Sequence, residues 1–243
     1  MSLVAGRVAG SLVALGVLSA GTMGVVAMFL EHRLTQTSTL VAGRLVVTDD
    51  VGDVVVHAGP AGQIRVVRTW HWSASRPADA ATPLTGPADS HGTATIDNRC
   101  GGGFGFDNCS VDLDITMPPE TALQISITTG DVRVDGSAGP LQVRSATGDI
   151  TATGLRTADP VLEAGVGDVS AHFAAPPDEV HVSSTTGDVV VGVPAGQEYL
   201  VRARTSTGDP TISVATSTTS SRTIDATTHA GDVSVVTDPG RAP

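Results

Sequence analysis

Lysine is absent from this 243-residue chain: all 14 basic residues are arginine, against 25 acids, for a formal net charge of −11. No acid precedes Glu31, and Arg7 is the only base before it. The part from Glu31 onward is therefore strongly acidic, which argues against a nucleic-acid partner, since that needs clustered positive charge. Aromatics are scarce, 3% of residues, so no large aromatic core is available and small layers of Val, Ile, Leu and Ala fit better. No nucleophile elbow, phosphate loop or HExxH motif occurs. The histidines His57, His71, His91, His172, His181 and His229 show no ligand spacing, and His32 abuts an apolar run. No metal, cofactor or enzymatic activity is expected.

What the chain has instead is a repeat. Gly-Asp recurs at Gly130-Asp131, Gly148-Asp149, Gly167-Asp168, Gly187-Asp188, Gly208-Asp209 and Gly231-Asp232, with successive glycines 18, 19, 20, 21 and 23 residues apart. A fixed dipeptide at this period is a solenoid signature. Counted from each Gly, positions −7 and −5 hold Leu123/Ile125, Leu141/Val143, Pro160/Leu162, Val180/Val182, Val201/Ala203 and Ile224/Ala226. Positions +2 and +4 hold Val132/Val134, Ile150/Ala152, Val169/Ala171, Val189/Val191, Pro210/Ile212 and Val233/Val235. Apolar and polar residues alternate on both sides of the corner, the strand period of two. Each repeat is thus two short strands around a tight Thr-Gly-Asp corner, and only stacking buries its apolar edge. Position −3 holds mostly small residues, which suits a narrow interior. The expected fold is all-β, a single-stranded parallel β-solenoid of about 18–23 residues per coil. Gly52-Asp53, with Leu45, Val47, Val54 and Val56 in register, starts the array near Leu40.

The corner Gly supplies positive φ, and the Asp can accept hydrogen bonds from nearby amides. Stacked in one row, Asp neighbours roughly 5 Å apart repel by about 0.9 kcal/mol per pair at water-like screening. Such a row has to be exposed, hydrogen-bonded or bound to a cation. Calcium wants six or more oxygen ligands and each coil offers one Asp, so a structural corner is the favoured reading over a cation row.

Val8–Leu30 is a 23-residue run without charge, long enough to span a bilayer. It predicts a transmembrane signal anchor over 8–30, with 1–7 cytoplasmic and the rest outside the cell membrane. The competing reading is a cleaved signal peptide, with small residues such as Ala20 or Ala27 near the cut. Residues 31–39 read as a polar linker, 40–237 as the solenoid and 238–243 as a flexible tail. Residues 73–91, rich in Ala, Pro, Ser, Thr and Asp, read as an irregular surface loop. Cys100 and Cys109 enclose GGGFGFDN, and in an exported protein they predict one disulfide closing the 100–109 loop. A metal site there would have only His91 and Asp107 to draw on. Pro210 cannot donate a ladder hydrogen bond, and with the TSTTSS segment at 216–221 it predicts a looser C-terminal end.

Two further clusters are candidates. Trp70 and Trp72 share one face of QIRVVRTWHW with His71 opposite, either as a capping layer over the first coils or as a contact patch. Asp112 and Asp114, or Arg133 and Arg144, would be the groups to consider in a polysaccharide-processing β-helix; alternating exposed charges on a strand are more often a solvated face.

The corners in ITTGDVRVDG, SATGDITATG and STTGDVVVGVP resemble those of the bacterial "putative adhesin" family of β-solenoid domains, related to the toastrack-type envelope-stress domains. The CGGGFGFDNCSVDLDITMPPET segment followed by the array is similar to actinobacterial members. The resemblance spans about Leu40 to Thr237. It implies a parallel β-solenoid, extracytoplasmic or membrane-associated, with no catalytic residues to carry over. The functional expectation is a membrane-anchored surface-interaction module whose partner is an envelope protein or surface ligand. The alternative is an envelope-stress or signalling module that binds a membrane partner.

Overall fold

The alternation of apolar residues on both sides of each Gly-Asp builds two sheets that face each other across a narrow core. The structure is a computed structural model that describes residues 32–73, 76–77, 80, 84, 92–100 and 109–238. Each regular coil gives one strand to an eight-stranded sheet, turns at its Gly-Asp corner, and gives a second strand to a ten-stranded sheet. The coils are β2 (Arg44–Val51) with β3 (Val54–Ala58), β7 (Ala122–Thr129) with β8 (Val132–Asp135), β9 (Leu141–Thr147) with β10 (Ile150–Leu155), and β11 (Val161–Val166) with β12 (Val169–Phe173). They continue as β13 (Glu179–Thr186) with β14 (Val189–Pro194), β15 (Leu200–Thr207) with β16 (Pro210–Ser213), and β17 (Thr223–Ala230) with β18 (Val233–Asp238). Pairing between these coils is parallel and in register, for example Leu123↔Leu141 and Val132↔Ile150.

The core is the set of inward rows. Leu45, Val47, Ile125, Val143, Leu162 and Val182 from one sheet meet Val54, Val134, Ile150, Val169, Val189 and Val233 from the other, all at most 1% exposed. Burying a side chain of this size contributes roughly 1.5–3 kcal/mol. That gain exists only because each coil covers the next, which is the physical reason a lone repeat would not fold.

Three features depart from a uniform parallel solenoid. First, the N-terminal end is antiparallel. β1 (His32–Leu40) pairs with β4 (Ile64–Trp72), and β4 pairs with β6 (Cys109–Met117), both antiparallel, before β6 joins β3 in parallel. β5 (Thr93–Asn98) closes the eight-stranded sheet beside β2. Second, within the stretch 31–39, expected as a polar link, residues 32–39 form most of β1: Leu34, Gln36 and Ser38 are half-buried while Thr35, Thr37 and Thr39 are exposed, the same period of two. Its polar composition hides a strand because, among the described residues, only one flank of β1 is paired.

Third, the two last coils are exchanged. Sequence order predicts β15–β16 next to β13–β14, but the coil β17–β18 takes that place and β15–β16 lies at the end of the stack. Pro210 explains the exchange. In each interior coil the residue two after the Gly donates its N–H to the Asp carbonyl of the next coil: Val132 to Asp149, Ile150 to Asp168, Val189 to Asp232 and Val233 to Asp209. Pro210 holds that position and has no N–H. Its coil can receive a neighbour's bond but cannot pass one on, so it fits only as the last. The expected looseness is visible there as exposure: Ile212 is 45% exposed, while its register partner Val235 is 0% exposed.

The predicted span 8–30 and residues 239–243 lie outside the described residues, as does most of 73–91. Among the described residues no helix is long and apolar enough to cross a membrane.

Candidate functional site

The Gly-Asp corners form one continuous ladder. Each corner glycine has φ between 135° and 142°, a region that disfavours side chains. A Cβ on Gly148 would also fall inside the Gly130 carbonyl, and one on Gly130 inside that of Gly52. Glycine is therefore demanded twice, by the turn and by the approach of the next coil. The aspartates do the rest. Each Asp N–H donates to Oδ1 of the Asp one coil back: Asp131 to Asp53 (3.0 Å), Asp149 to Asp131 (2.9 Å), and Asp168 to Asp149, Asp188 to Asp168, Asp232 to Asp188 and Asp209 to Asp232 (each 2.8 Å). At its head Asp53 donates to Asp112 Oδ1 at 3.2 Å. The corner N–H that the strand ladder cannot use is thus met by a carboxylate, and all seven corner Asp side chains remain exposed, which keeps their mutual repulsion screened.

Position −3 supplies a second device. Ser184 Oγ donates to the Gly167 carbonyl (2.8 Å), Thr228 Oγ1 to Gly187 (2.9 Å) and Thr205 Oγ1 to Gly231 (2.8 Å). Sequence reasoning recognised this position only as small. The recurrent Ser and Thr were the signal that a buried donor was needed.

The first coil breaks the pattern, because its −3 residue is Asp49. Asp49 is 1% exposed, and Asn98, its register partner on β5, is 0% exposed. Asn98 Nδ2 donates to Asp49 Oδ2 at 3.0 Å. Arg68, 3% exposed, donates to Asn98 Oδ1 at 3.4 Å and to Gln36 Oε1 at 2.8 Å. Gln36 in turn donates to the Ala80 carbonyl at 2.9 Å. A polar chain Gln36–Arg68–Asn98–Asp49 therefore links β1, β4, β5 and β2 inside the capped end. Burial pushes the Asp49 carboxyl up from 3.8 to about 7, against the lowering effect of the bonds from Asn98 and the Val51 backbone; Asp50 and Asp112 push it further up. Asp49 Oδ1 has no hydrogen-bond partner among the described residues. Arg68 shares strand parity with the two Trp residues in IRVVRTWHW, but neither its inward place nor its mate across the interior is written in the local pattern.

Trp70 is fully buried, with the Arg68 guanidinium 5.7 Å from its ring centroid. Trp72 is half-buried and stacks on His32, with centroids 5.5 Å apart. Both lie on the inner face of β4, over the first coils. Cys100 and Cys109 are bonded to each other. The remaining candidates are not brought together. Asp112 heads the Asp ladder and its Oδ2 lies 3.2 Å from His71 Nε2. Arg133 lies on the ten-stranded sheet, whereas Arg144 lies on the eight-stranded sheet and pairs with Glu163 at 2.6 Å. No group of three or more metal-binding side chains occurs among the described residues.

Six of the seven corners, all but Gly52-Asp53, fall within residues 99–237, which match a known family, Toastrack DUF4097. The chain belongs to the toastrack family. No curated protein matches it. Among solved structures, the toastrack is similar to a "putative cell adhesion protein" from Clostridium sporogenes, at 13% identity over 84% of this chain and 100% of that one, with a TM-score of 0.48. It is also similar to a "putative adhesin" from Bacteroides fragilis, at 12% identity over 84% and 97%, with a TM-score of 0.44. Likeness at this level says nothing about what the toastrack binds.

Proposed function

We propose that this toastrack is a non-enzymatic surface-interaction module, held at the outer side of a membrane by a signal anchor over 8–30. The observation that carries the reading is how the acids are used. The row that a binding or catalytic hypothesis would seize on is occupied in holding the coils together, each carboxylate accepting the next Asp N–H. What the stack then offers is two long sheet faces, suited to contact with an envelope protein or surface ligand. The Cys100–Cys109 bridge supports an oxidising compartment, and the uncharged run up to Leu30 supports anchoring.

A second reading, a signalling module with a membrane partner, is favoured by one specific contact. The first strand after the apolar run, β1, reaches through Gln36 and Arg68 into the buried chain that ends at Asp49. Movement at the membrane would then be felt inside the first coil.

The test is protease accessibility of intact cells combined with N-terminal sequencing of the membrane fraction. External protease should remove the domain, and sequencing should find an uncleaved start. A mature start near residue 21 or 28 would defeat the anchor, and a domain shielded from external protease would defeat export. A reproducible glycan-cleaving activity lost in Asp112→Asn or Asp114→Asn would overturn the non-enzymatic assignment.

A further inference from the structure

β1 is the outermost strand of the ten-stranded sheet at its capped end, with no described strand beyond it. Its open edge differs from the edge at the opposite end in length and in proline content. It is nine residues long, against four for β16. Its register with β4 runs unbroken from His32↔Trp72 to Leu40↔Ile64, so no bulge turns it away. It contains no proline, whereas β16 opens on Pro210. Edge strands are normally guarded by brevity, proline, bulges or charge. β16 has the first two of these guards; β1 has only the charge of Arg33 near its start.

The sequence of that edge is also self-complementary. Laid antiparallel on itself about Gln36, β1 places Thr35 opposite Thr37 of the other copy, Arg33 opposite Thr39, Leu34 opposite Ser38 and His32 opposite Leu40. Residues of one face meet residues of the same face, and no like charges meet. Thr–Thr pairs across strands are favourable. Leu34 and Gln36, half-buried on the inner side, would gain cover.

We propose that β1 pairs antiparallel with β1 of a second copy of this chain, joining two solenoids through one continuous sheet. The proposal rests on the anchor reading in one respect. A nine-residue edge buries less than the roughly 1,200–2,000 Å² typical of a stable interface, so the pairing needs the confinement of two copies in one membrane. The geometry suits this. The apolar run ends at Leu30 and β1 begins at His32. A two-fold axis normal to the sheet brings both chain starts to the same height, as two anchors in one bilayer require.

The test uses the full chain in native membranes. Thr35→Cys/Thr37→Cys should give a disulfide-linked dimer under mild oxidation, and Thr211→Cys/Ser213→Cys on β16 should not. In parallel, two differently tagged copies in the same membrane are chemically cross-linked before solubilisation and then co-captured. Thr35→Asp/Thr37→Asp should weaken self-association roughly 5–30-fold, because it places acids opposite acids twice. Mixing it with Thr35→Arg/Thr37→Arg should restore association, which also shows that both variants are folded. Absence of the cross-link in membrane-bound chains overturns the pairing, as does self-association that ignores both charge variants. Fractionation separates this result from the anchor reading. Chain found in the soluble fraction defeats the anchor, and the cross-link is then read on concentrated soluble chain, where its absence overturns the pairing as well.

Discussion

Replacing Asp49 by asparagine keeps an oxygen facing Asn98 and removes a carboxyl that is 1% exposed. In the folded chain this group titrates near 7, against 3.8 when solvated, with burial as the main cause. Between those values the folded state holds a proton that the unfolded state has released. Linkage then makes stability fall as pH rises from about 4 to about 7, and level off above. Three pH units correspond to on the order of 4 kcal/mol, an upper bound because local relaxation and water entry reduce the penalty. The variant has no such group to ionise. Urea denaturation of the detergent-solubilised chain at pH 4.5, 6, 7 and 8 isolates the effect, since every other carboxyl is common to both proteins. The difference in stability, Asp49→Asn minus wild type, should be near zero at pH 4.5. It should grow in favour of the variant by about 1–4 kcal/mol at pH 8. A difference that does not change with pH would refute the burial of this carboxyl as the cause of its raised pKa. A variant that loses stability as pH rises would show that Asp49 is needed charged, as the mate of Arg68.

Three further outcomes follow from the corners and the bridge. Gly148→Ala, forced to positive φ and against the Gly130 carbonyl, should cost at least about 2 kcal/mol and broaden the thermal transition; a drop under 0.5 kcal/mol in calorimetry would contradict the stacking described. Raising salt from 0.02 to about 0.5 M should increase stability as repulsion along the seven exposed corner carboxylates is screened; an unchanged Tm across that range would mean the row is not a charged line. Reduction of Cys100–Cys109 should lower stability by about 2.7 kcal/mol on the chain-entropy account, with the amide exchange of β9–β14 unaffected; loss of protection throughout the array would make the bridge a global rather than a local constraint.

The parallel array was legible because its signal is redundant: six Gly-Asp pairs, each flanked by period-two apolar residues, point to one register. The additional coil at Gly52-Asp53 followed from the same template. The capped end was less legible for a physical reason. β1 has one flank with no described strand beside it, and its alternation is written in half-buried Leu34, Gln36 and Ser38 rather than in Val and Ile. Asp49, Arg68 and Asn98 lie 19 to 49 residues apart in sequence and meet only when β2, β4 and β5 are stacked, a placement that no local pattern encodes. The exchange of the last two coils is the instructive case. Pro210 was readable as a residue unable to donate, and a residue unable to donate has to terminate a one-directional ladder. The sequence order of the coils concealed that consequence. Asp112 is the half-exposed strand charge its alternation indicates, and its further role at the head of the ladder was hidden because it follows Val111 rather than a Gly.

The central claim is that the corner aspartate is a stacking acceptor. The direct measurement compares Asp168→Asn with Asp168→Ala by chemical denaturation. Asp168 Oδ1 receives the Asp188 N–H at 2.8 Å. Both variants remove the same charge and relieve the same repulsion, so their difference isolates the hydrogen bond, worth about 1 kcal/mol by analogy with capping side chains. The account predicts Asp168→Asn within about 0.5 kcal/mol of wild type and Asp168→Ala about 1 kcal/mol below it. Equal stability of the two variants would contradict it, because the side-chain oxygen would then carry nothing between the coils.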